Sequence, residues 1–353
     1  MSGKKRVPRK RTEQPRERAG QAAPSAQLAQ PEQTAQPEQT PQVAPTTQVA
    51  QPEQAAQDEF PYRSGFAALI GRPNVGKSTL LNALVGQKLS IVTPRPQTTR
   101  HRIVGIVHLP HAQIAFVDTP GLHQNAQRAL NRAMNRTAAT SLNDADLIVL
   151  VTEACRWTEE DELALKRVAQ SGLPAIAAIN KVDRVRPRAR LLPYIAELSG
   201  RHAFAAVVPV SALKADNVEA LRQSIAAHLP VAPPMYAEGE LTDRGLDFRI
   251  AEMIREKLTL ELNQEVPYGI AVEVEQLQEA DGQLSVDASI WVDREGQKPI
   301  VIGARGERLK RVGRAARIAL NNQLGRRLHL NLWVKVRENW ADNARALKQL
   351  GLE

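Results

Sequence analysis

One cysteine, Cys155, is all the sequence of 353 residues contains, so no internal disulfide can form. No Cys/His pairing accompanies it, which excludes a zinc cluster, argues against redox chemistry and leads us to expect a cytosolic protein. Long apolar runs are also missing: runs such as Leu147 to Val151 and Ala175 to Ile179 fall far short of the ~20 residues that cross a bilayer. The seven histidines form no Ser/His/Asp or metal arrangement, and His108 and His111 flank Pro110 in an expected surface turn. Positive charge, by contrast, is plentiful. Lys plus Arg number 47 against 38 Asp plus Glu, a net +9 that favours a polyanionic partner such as nucleic acid or an anionic membrane surface.

Residues 1–59 hold few large apolar side chains, many Gln, Pro and Ala, and the string Gln-Pro-Glu-Gln beginning at Gln30, Gln36 and Gln51. Such a segment cannot bury enough apolar area to offset ordering entropy, so a disordered tail is expected. Its first 18 residues carry eight basic side chains against Glu13 and Glu17. That tip reads either as a solvated tail or as a site of non-specific attraction to RNA or lipid headgroups.

From Phe66 onward, short apolar runs (66–70, 102–108, 113–117, 147–151, 175–179 and 205–209) alternate with helix signatures at 125–142, 158–170, 188–198 and 217–228. This alternation implies an α/β domain over 60–230, with a mostly parallel sheet covered on both faces. Pro230, Pro233 and Pro234 mark a linker over 231–241. Residues 242–353 follow an α+β grammar: a long helix at 243–263, strands at 269–276 and 283–292, a basic helix at 308–322 and a last strand at 328–336.

Gly71 to Ser78 fits G-x-x-x-x-G-K-[ST], between an expected strand and an expected helix. Backbone amides of Gly71, Arg72, Pro73, Asn74, Val75 and Gly76 would surround phosphates, apart from proline, which has no N–H. Lys77 would reach the β and γ oxygens, Ser78 would face Mg²⁺, and Thr79 follows in the helix. Asp118, Thr119, Pro120 and Gly121 end a strand, where the aspartate can hold Mg²⁺ through water and the Gly121 amide can bond the γ-phosphate; a second D-x-x-G at Asp293 to Gly296 lies outside the unit that carries the phosphate loop. Asn180, Lys181, Val182 and Asp183 also end a strand. The Asp183 carboxylate can accept hydrogen bonds from guanine N1 and N2, which adenine does not offer, so GTP and GDP are the expected ligands. Ser211 and Ala212 would support the base from the other side.

Together these elements resemble a GTPase domain. The resemblance implies a Mg²⁺-ligating threonine in the segment between the first helix and second strand; Thr99 is the first choice and Thr98 the second. It implies catalytic parts for Lys77, Thr99, Asp118 and Gly121. Leu122 stands where many such proteins carry a water-orienting glutamine, so hydrolysis is expected to be slow or to rely on another group. Asn74 has two open readings: helping to hold a K⁺ ion that supplies positive charge, or stabilising the loop. A non-hydrolysing, nucleotide-gated RNA-binding protein is the alternative class.

In the C-terminal unit, Ile302, Gly303, Ala304, Arg305 and Gly306 place G-x-x-G at the mouth of a basic helix bearing Arg308, Lys310, Arg311 and Arg314. Residues 291–337 carry twelve basic and three acidic side chains, and that charge lifts a weak motif towards a KH-type RNA-binding loop. Several further stretches are similar to the bacterial Era family, within the TrmE-Era-Obg group. They are 153–158, 96–102, 211–217, Glu265 to Tyr268, Arg294 to Lys298, Leu332 to Arg337, Trp340 to Asp342 and Arg345 to Gly351. The similarity covers 65–353. It implies a P-loop GTPase domain followed by a type II KH domain that binds the 3′ end of 16S rRNA. It also implies assistance to maturation of the 30S subunit, a monomer, and peripheral association with the cytoplasmic face of the inner membrane. A second G-x-x-x-x-G-K-[ST], which a tandem GTPase would need, is absent, and Asn180 to Asp183 disfavours an ATPase or kinase.

Overall fold

Two sheets organise the described residues, and each follows from where its apolar residues fall. The computed structural model describes residues 61–95, 98–120, 128–262, 269–280 and 282–352. The expected tail, Pro96, Gln97, Gly121, Leu122 and the run Glu265 to Tyr268 lie outside the described residues.

The first sheet uses β1 (Arg63–Ile70), β2 (Ile103–Leu109), β3 (Ala112–Asp118), β4 (Leu147–Glu153), β5 (Ala175–Asn180) and β6 (Ala206–Pro209), in the order β2-β3-β1-β4-β5-β6. Only β2 runs antiparallel to its neighbour. Every residue of β3 and β5 is buried, as strands covered on both faces must be. Successive side chains leave opposite faces of the sheet. Leu69 and Val149 join the cluster beneath α1 (Lys77–Val85) and α5 (Val218–His228), while Ile70, Ile148 and Leu150 pack under α3 (Glu159–Ser171). The remaining helices of this part are α2 (Ala129–Asn143) and α4 (Leu191–Arg201).

Local chemistry sets the helix ends. Thr158 and Asp161 form a reciprocal capping box at the start of α3, and four acidic residues occupy its first turn, where they complement the helix dipole. The helix expected at 188–198 begins instead at Leu191, after a tight turn over Arg188–Arg190. Pro193 thereby falls in the first turn of α4, where its missing N–H is not needed. The stretch 229–240 is pinned rather than loose: the Pro230 carbonyl accepts from the Ser64 amide (3.2 Å), and Gln113 Oε1 accepts from the amides of Met235 (2.7 Å) and Tyr236 (2.9 Å).

The second sheet, β7 (Ile270–Ala280), β8 (Gln283–Val292) and β9 (Leu328–Val336), has β8 at its centre, antiparallel to β7 and parallel to β9. With α6 (Leu246–Glu261), α7 (Lys298–Ile302) and α8 (Glu307–Leu324), the order is α-β-β-α-α-β, the type II KH arrangement, and α9 (Ala344–Gln349) follows. Ile250, Ile254 and Leu258 of α6 and Val312, Ala316 and Leu320 of α8 cover one face of this sheet. Two expectations are corrected. The helix expected from 243 starts at Leu246, because the Asp243 carboxylate is drawn to the Val104 amide (3.2 Å). The short helix α7, with Pro299 in its first turn, stands between the strand pair and the glycine loop, where the expected order of elements had none.

Candidate functional site: a nucleotide cleft joined to a basic helix

The loop between β1 and α1 closes on its own lysine. Lys77, the first residue of α1, is buried, and its Nζ donates to the carbonyls of Gly71 (2.8 Å) and Arg72 (3.1 Å). Gly76 has φ +106°, and a Cβ there would lie 2.4 Å from Asn180 Nδ2. Gly76→Ala should therefore strain the backbone by about 1–3 kcal/mol and displace Asn180. Thermal unfolding and nucleotide titration should show lower stability together with lost GTP binding.

Three hydroxyls converge on one carboxylate oxygen. Asp118, at the end of β3, accepts at Oδ2 from Ser78 (2.8 Å), Ser90 (2.9 Å) and, less closely, Thr99 (3.3 Å), while Thr99 and Ser78 share a 2.8 Å hydrogen bond. Asp118 Oδ1 is buried without a partner among the described residues. Burial pushes the Asp118 carboxyl up and the Lys77 ammonium down, each opposed by the other's charge. Two hydroxyls beside an orphaned carboxylate oxygen suit a hard cation that takes oxygen ligands, and Mg²⁺ fits this set. The Thr98 hydroxyl points elsewhere, bonding the Arg95 carbonyl (2.7 Å) and Thr93 Oγ1 (2.6 Å). Ser90 had no signal in the sequence; Asn82 brings it in by accepting from the Leu89 (2.8 Å) and Ser90 (2.9 Å) amides.

Asn180 ties three loops together. Its Nδ2 donates to the Val75 carbonyl (3.0 Å), and its Oδ1 accepts from the amides of Lys181 (2.8 Å) and Ala212 (3.0 Å). Asp183 Oδ1 accepts from Ser211 Oγ (2.6 Å), and Asp183 lines the cleft. Lys181 Nζ reaches the Asn74 carbonyl (2.9 Å) and Glu153 (3.1 Å). Val182 faces the apolar core instead of the cleft. Glu153, at the end of β4, also pairs with Arg72, whose Nε meets Asp161 at 3.1 Å, so one carboxylate links the phosphate loop to the base loop. Burial opposes the Glu153 charge, but hydrogen bonds from Lys181 and Arg72 hold the carboxyl below its usual range. The resulting cleft of about 330 Å³ is walled by Pro73, Asn74, Thr79, Thr99, Thr119 and Leu213, among others. Thr119 also donates to the Leu69 carbonyl (3.4 Å), and Pro120 is buried.

In the KH part, Gly303 has φ +75°, and a Cβ there would meet Arg308 Cβ at 2.6 Å, so the turn requires glycine. Ala304 and Arg305 are exposed at the tip, Ile302 and Gly306 are half-buried, and Arg308 lies at the base. Val312, Ala316 and Leu320 turn α8 inward and leave Lys310, Arg311 and Arg314 exposed; Arg311 pairs with Glu261 at 2.5 Å.

The segment that carries Thr99 is held by the KH part. Arg255 of α6 is buried, pairs with Glu252 through Nε (2.7 Å), and donates from Nη2 to the Thr98 carbonyl (2.5 Å). Arg100 Nη1 donates to the Ile270 carbonyl (2.6 Å), and His101 Nε2 donates to the Leu350 carbonyl (2.9 Å). Burial pushes His101 down to about 4, so the ring is neutral at pH 7. Glu256 Oε1 accepts from the Val92 amide (3.1 Å) and Oε2 from Lys88 (2.6 Å). Downstream of Asp118, Leu130 and Met134 of α2 pack with Trp291, Trp340 and Leu347, and the Ala129 amide donates to Asp342 Oδ1 (2.9 Å). None of the pairings between the two parts has a sequence signature, because their members lie far apart in the chain.

Comparison with known proteins matches this layout. A family model for a 50S ribosome-binding GTPase matches residues 66–181, and a KH domain model matches residues 265–341. GTPase Era of Xanthomonas axonopodis pv. citri (strain 306) is 50% identical over 293 residues, covering 83% of this chain and 98% of that protein. The chain belongs to the Era family of GTPases. Two solved Era structures, each 38% identical, cover 82% of this chain and 99% of their own. They are an Aquifex aeolicus Era variant bound to GDP and AlF4⁻ (TM-score 0.78) and Era in complex with MgGDPNP and nucleotides 1506–1542 of 16S ribosomal RNA (TM-score 0.79). The expected fold, a P-loop GTPase domain followed by a KH domain, is that of Era.

Proposed function

We propose that this chain binds and hydrolyses GTP with Mg²⁺, binds the 3′ end of 16S rRNA through its KH domain, and assists 30S subunit assembly by coupling the two. The observation that carries this reading is the path from Ser78 and Thr99 through the Thr98 carbonyl to Arg255 of α6. A γ-phosphate that reorders Thr99 must disturb hydrogen bonds reaching the domain that would hold RNA. The solved complex of a relative with GDPNP and a 16S fragment supports the pair of ligands. The partition we adopt is a tail over 1–59, a GTPase domain over 60–230, a linker over 231–241 and a KH domain over 242–353.

In this reading Lys77 leaves the Gly71 and Arg72 carbonyls to meet the β and γ oxygens. Loop amides cradle the phosphates, Asp183 reads guanine, and Asn180, Lys181, Ser211 and Ala212 hold the base loop. Mg²⁺, when bound, neutralises charge between the β- and γ-phosphates; Ser78, Thr99 and Asp118 are the residues that would hold it. Gly121 would donate its amide to the γ-phosphate. With Leu122 offering no side chain to orient water, turnover is expected to be slow. Asn74, exposed in a left-handed conformation at the cleft, is the residue that would help hold K⁺. Phosphate release should then be several-fold faster in K⁺ than in Na⁺ buffer of equal ionic strength. Equal rates would remove K⁺ from the mechanism, and no release in either buffer would favour the non-hydrolysing reading.

For RNA, the loop from Ile302 to Gly306 would pack against the backbone, with Arg308, Lys310, Arg311 and Arg314 on phosphates. Fluorescence anisotropy should show a 16S 3′-end oligonucleotide bound at least tenfold more tightly than a scrambled one at 150 mM salt. Equal, steeply salt-dependent binding of both would leave only an electrostatic surface. We assign the basic tip of residues 1–18 a reversible attraction to the cytoplasmic face of the membrane, and we take the protein to act as a monomer.

A further inference from the structure

Beyond the KH surface, one more concentration of charge lies on the GTPase part. Arg184, Arg186, Arg188 and Arg190 occupy alternate positions of the loop that follows Asp183, and all four are exposed. Among the described residues none of their guanidinium groups pairs with a carboxylate; the one side-chain hydrogen bond among them runs from Arg186 Nη1 to the neighbouring Val185 carbonyl (3.2 Å). The display is built in. Val182 and Val185 are buried and anchor the loop, and tight turns over Val182–Arg184 and Arg188–Arg190 fix its two ends. A fifth arginine sits alongside: the Arg156 carbonyl accepts from Tyr194 Oη (3.4 Å), Cys155 Sγ donates to the Arg190 carbonyl (3.6 Å), and the Arg156 guanidinium, 3.9 Å from Glu153, is largely exposed.

Displaying four exposed arginines within seven residues without counter-charges is unfavourable in the free protein, and a polyanion would relieve it. All are arginine, whose planar fork grips phosphate oxygens bidentately, and rigid anchoring lowers the ordering cost of that grip. From Arg184 to Leu192 there is no aromatic side chain on which a base could stack. The chemistry suits a sugar-phosphate backbone, not unpaired bases.

We propose that this arginine loop is a second RNA-contacting surface, which docks on the phosphate backbone of helical rRNA in the small subunit while the KH domain takes the single-stranded 3′ end. The proposal rests on the rRNA reading above. It is tested with the full chain carrying Arg186→Gln, Arg188→Gln and Arg190→Gln together; Arg184 is left intact because it lines the nucleotide cleft. GTP affinity serves as the control for folding. Binding is measured to purified 30S subunits, to the short 3′-end oligonucleotide and to phosphatidylglycerol vesicles, from 50 to 300 mM KCl.

The variant should bind the oligonucleotide within twofold of wild type. It should bind subunits at least tenfold more weakly at 150 mM KCl, with the slope of log K against log salt reduced by about 2 to 3, as loss of three phosphate contacts requires. Unchanged subunit affinity and slope, with oligonucleotide binding intact, would overturn the arginine loop alone. Loss confined to vesicles would overturn it in favour of a lipid surface. Wild-type protein that bound neither oligonucleotide nor subunits would sink the rRNA reading itself, and this proposal with it.

Discussion

Replacing Asp183 by Asn should weaken GTP binding by about 100-fold or more and turn the preference towards xanthosine triphosphate. The Asp183 carboxylate accepts from Ser211 at Oδ1 and faces the cleft, where guanine would present N1–H and its N2 amine, two donors meeting an acceptor. An asparagine keeps the shape but puts an NH₂ opposite that amine, donor against donor. The buried mismatch leaves both groups desolvated without a partner. Xanthine carries a carbonyl where guanine carries the amine, so the same NH₂ finds an acceptor. Titration with fluorescent GTP and XTP analogues checks the reversal. An Asp183→Asn protein that binds GTP like wild type would remove Asp183 from base recognition. One that binds neither nucleotide, with an unchanged melting curve, would mean that the carboxylate's part is not hydrogen-bond complementarity.

Arg255→Met should destabilise the protein by about 3–5 kcal/mol, because it leaves Glu252 buried without its partner. Both side chains are about 95% buried, and Arg255 meets Glu252 through two nitrogens, each at 2.7 Å. Burial works against the Glu252 charge, yet the Arg255 guanidinium, aided by His101 and Arg100, more than offsets it, so the carboxyl titrates below its usual range. A folded-state value below the unfolded one means stability that is fully present above the ordinary carboxylate range and is lost as pH falls through the folded value. The pair should therefore contribute to acid unfolding. Adding Glu252→Gln to Arg255→Met should recover most of the loss, since no unpaired charge then remains. The recovered double variant has still lost the hydrogen bond to the Thr98 carbonyl, so its RNA affinity should respond less to the bound nucleotide than wild type does. Denaturant unfolding from pH 2 to 7 checks the first effect, and RNA titration of the double variant checks the second. A double variant as unstable as Arg255→Met would show that the cost lies in packing rather than in charge.

These expectations differ in how far the sequence foreshadowed them. The phosphate loop and the Asn180 to Asp183 turn were legible because each is contiguous: glycine, lysine, asparagine and aspartate at fixed spacing, bounded by an apolar strand, dictate both conformation and chemistry locally. The order of strands and helices was legible for a similar reason, since burial on both faces leaves unbroken apolar runs such as Ala175 to Ile179. Element ends were less so. Pro193 delayed α4, and Asp243 left its helix for the Val104 amide, both decided by neighbours or partners that periodicity does not register. Least legible were the pieces assembled across the chain: Ser90 on Asp118, Glu153 between Arg72 and Lys181, and Arg255 on Thr98. Serines, glutamates and arginines are common, and only tertiary structure distinguishes these from others. The choice between Thr98 and Thr99 shows the same limit, because adjacent hydroxyls diverge only once the backbone is known, one towards Thr93 and the other towards Ser78.

The central claim is that nucleotide and RNA are read by one coupled device, with the segment around Thr98 to His101 as the joint. Its most direct test is the dissociation constant of wild-type protein for the 16S 3′-end oligonucleotide, measured at one salt concentration with saturating GDP and with saturating GDPNP. A coupling of 1–3 kcal/mol corresponds to a difference of about 5- to 150-fold, and the account predicts tighter binding with GDPNP within that range. Identical constants in the two states would contradict it, because the hydrogen bonds joining that segment to α6, β7 and the Leu350 carbonyl would then transmit nothing between the sites.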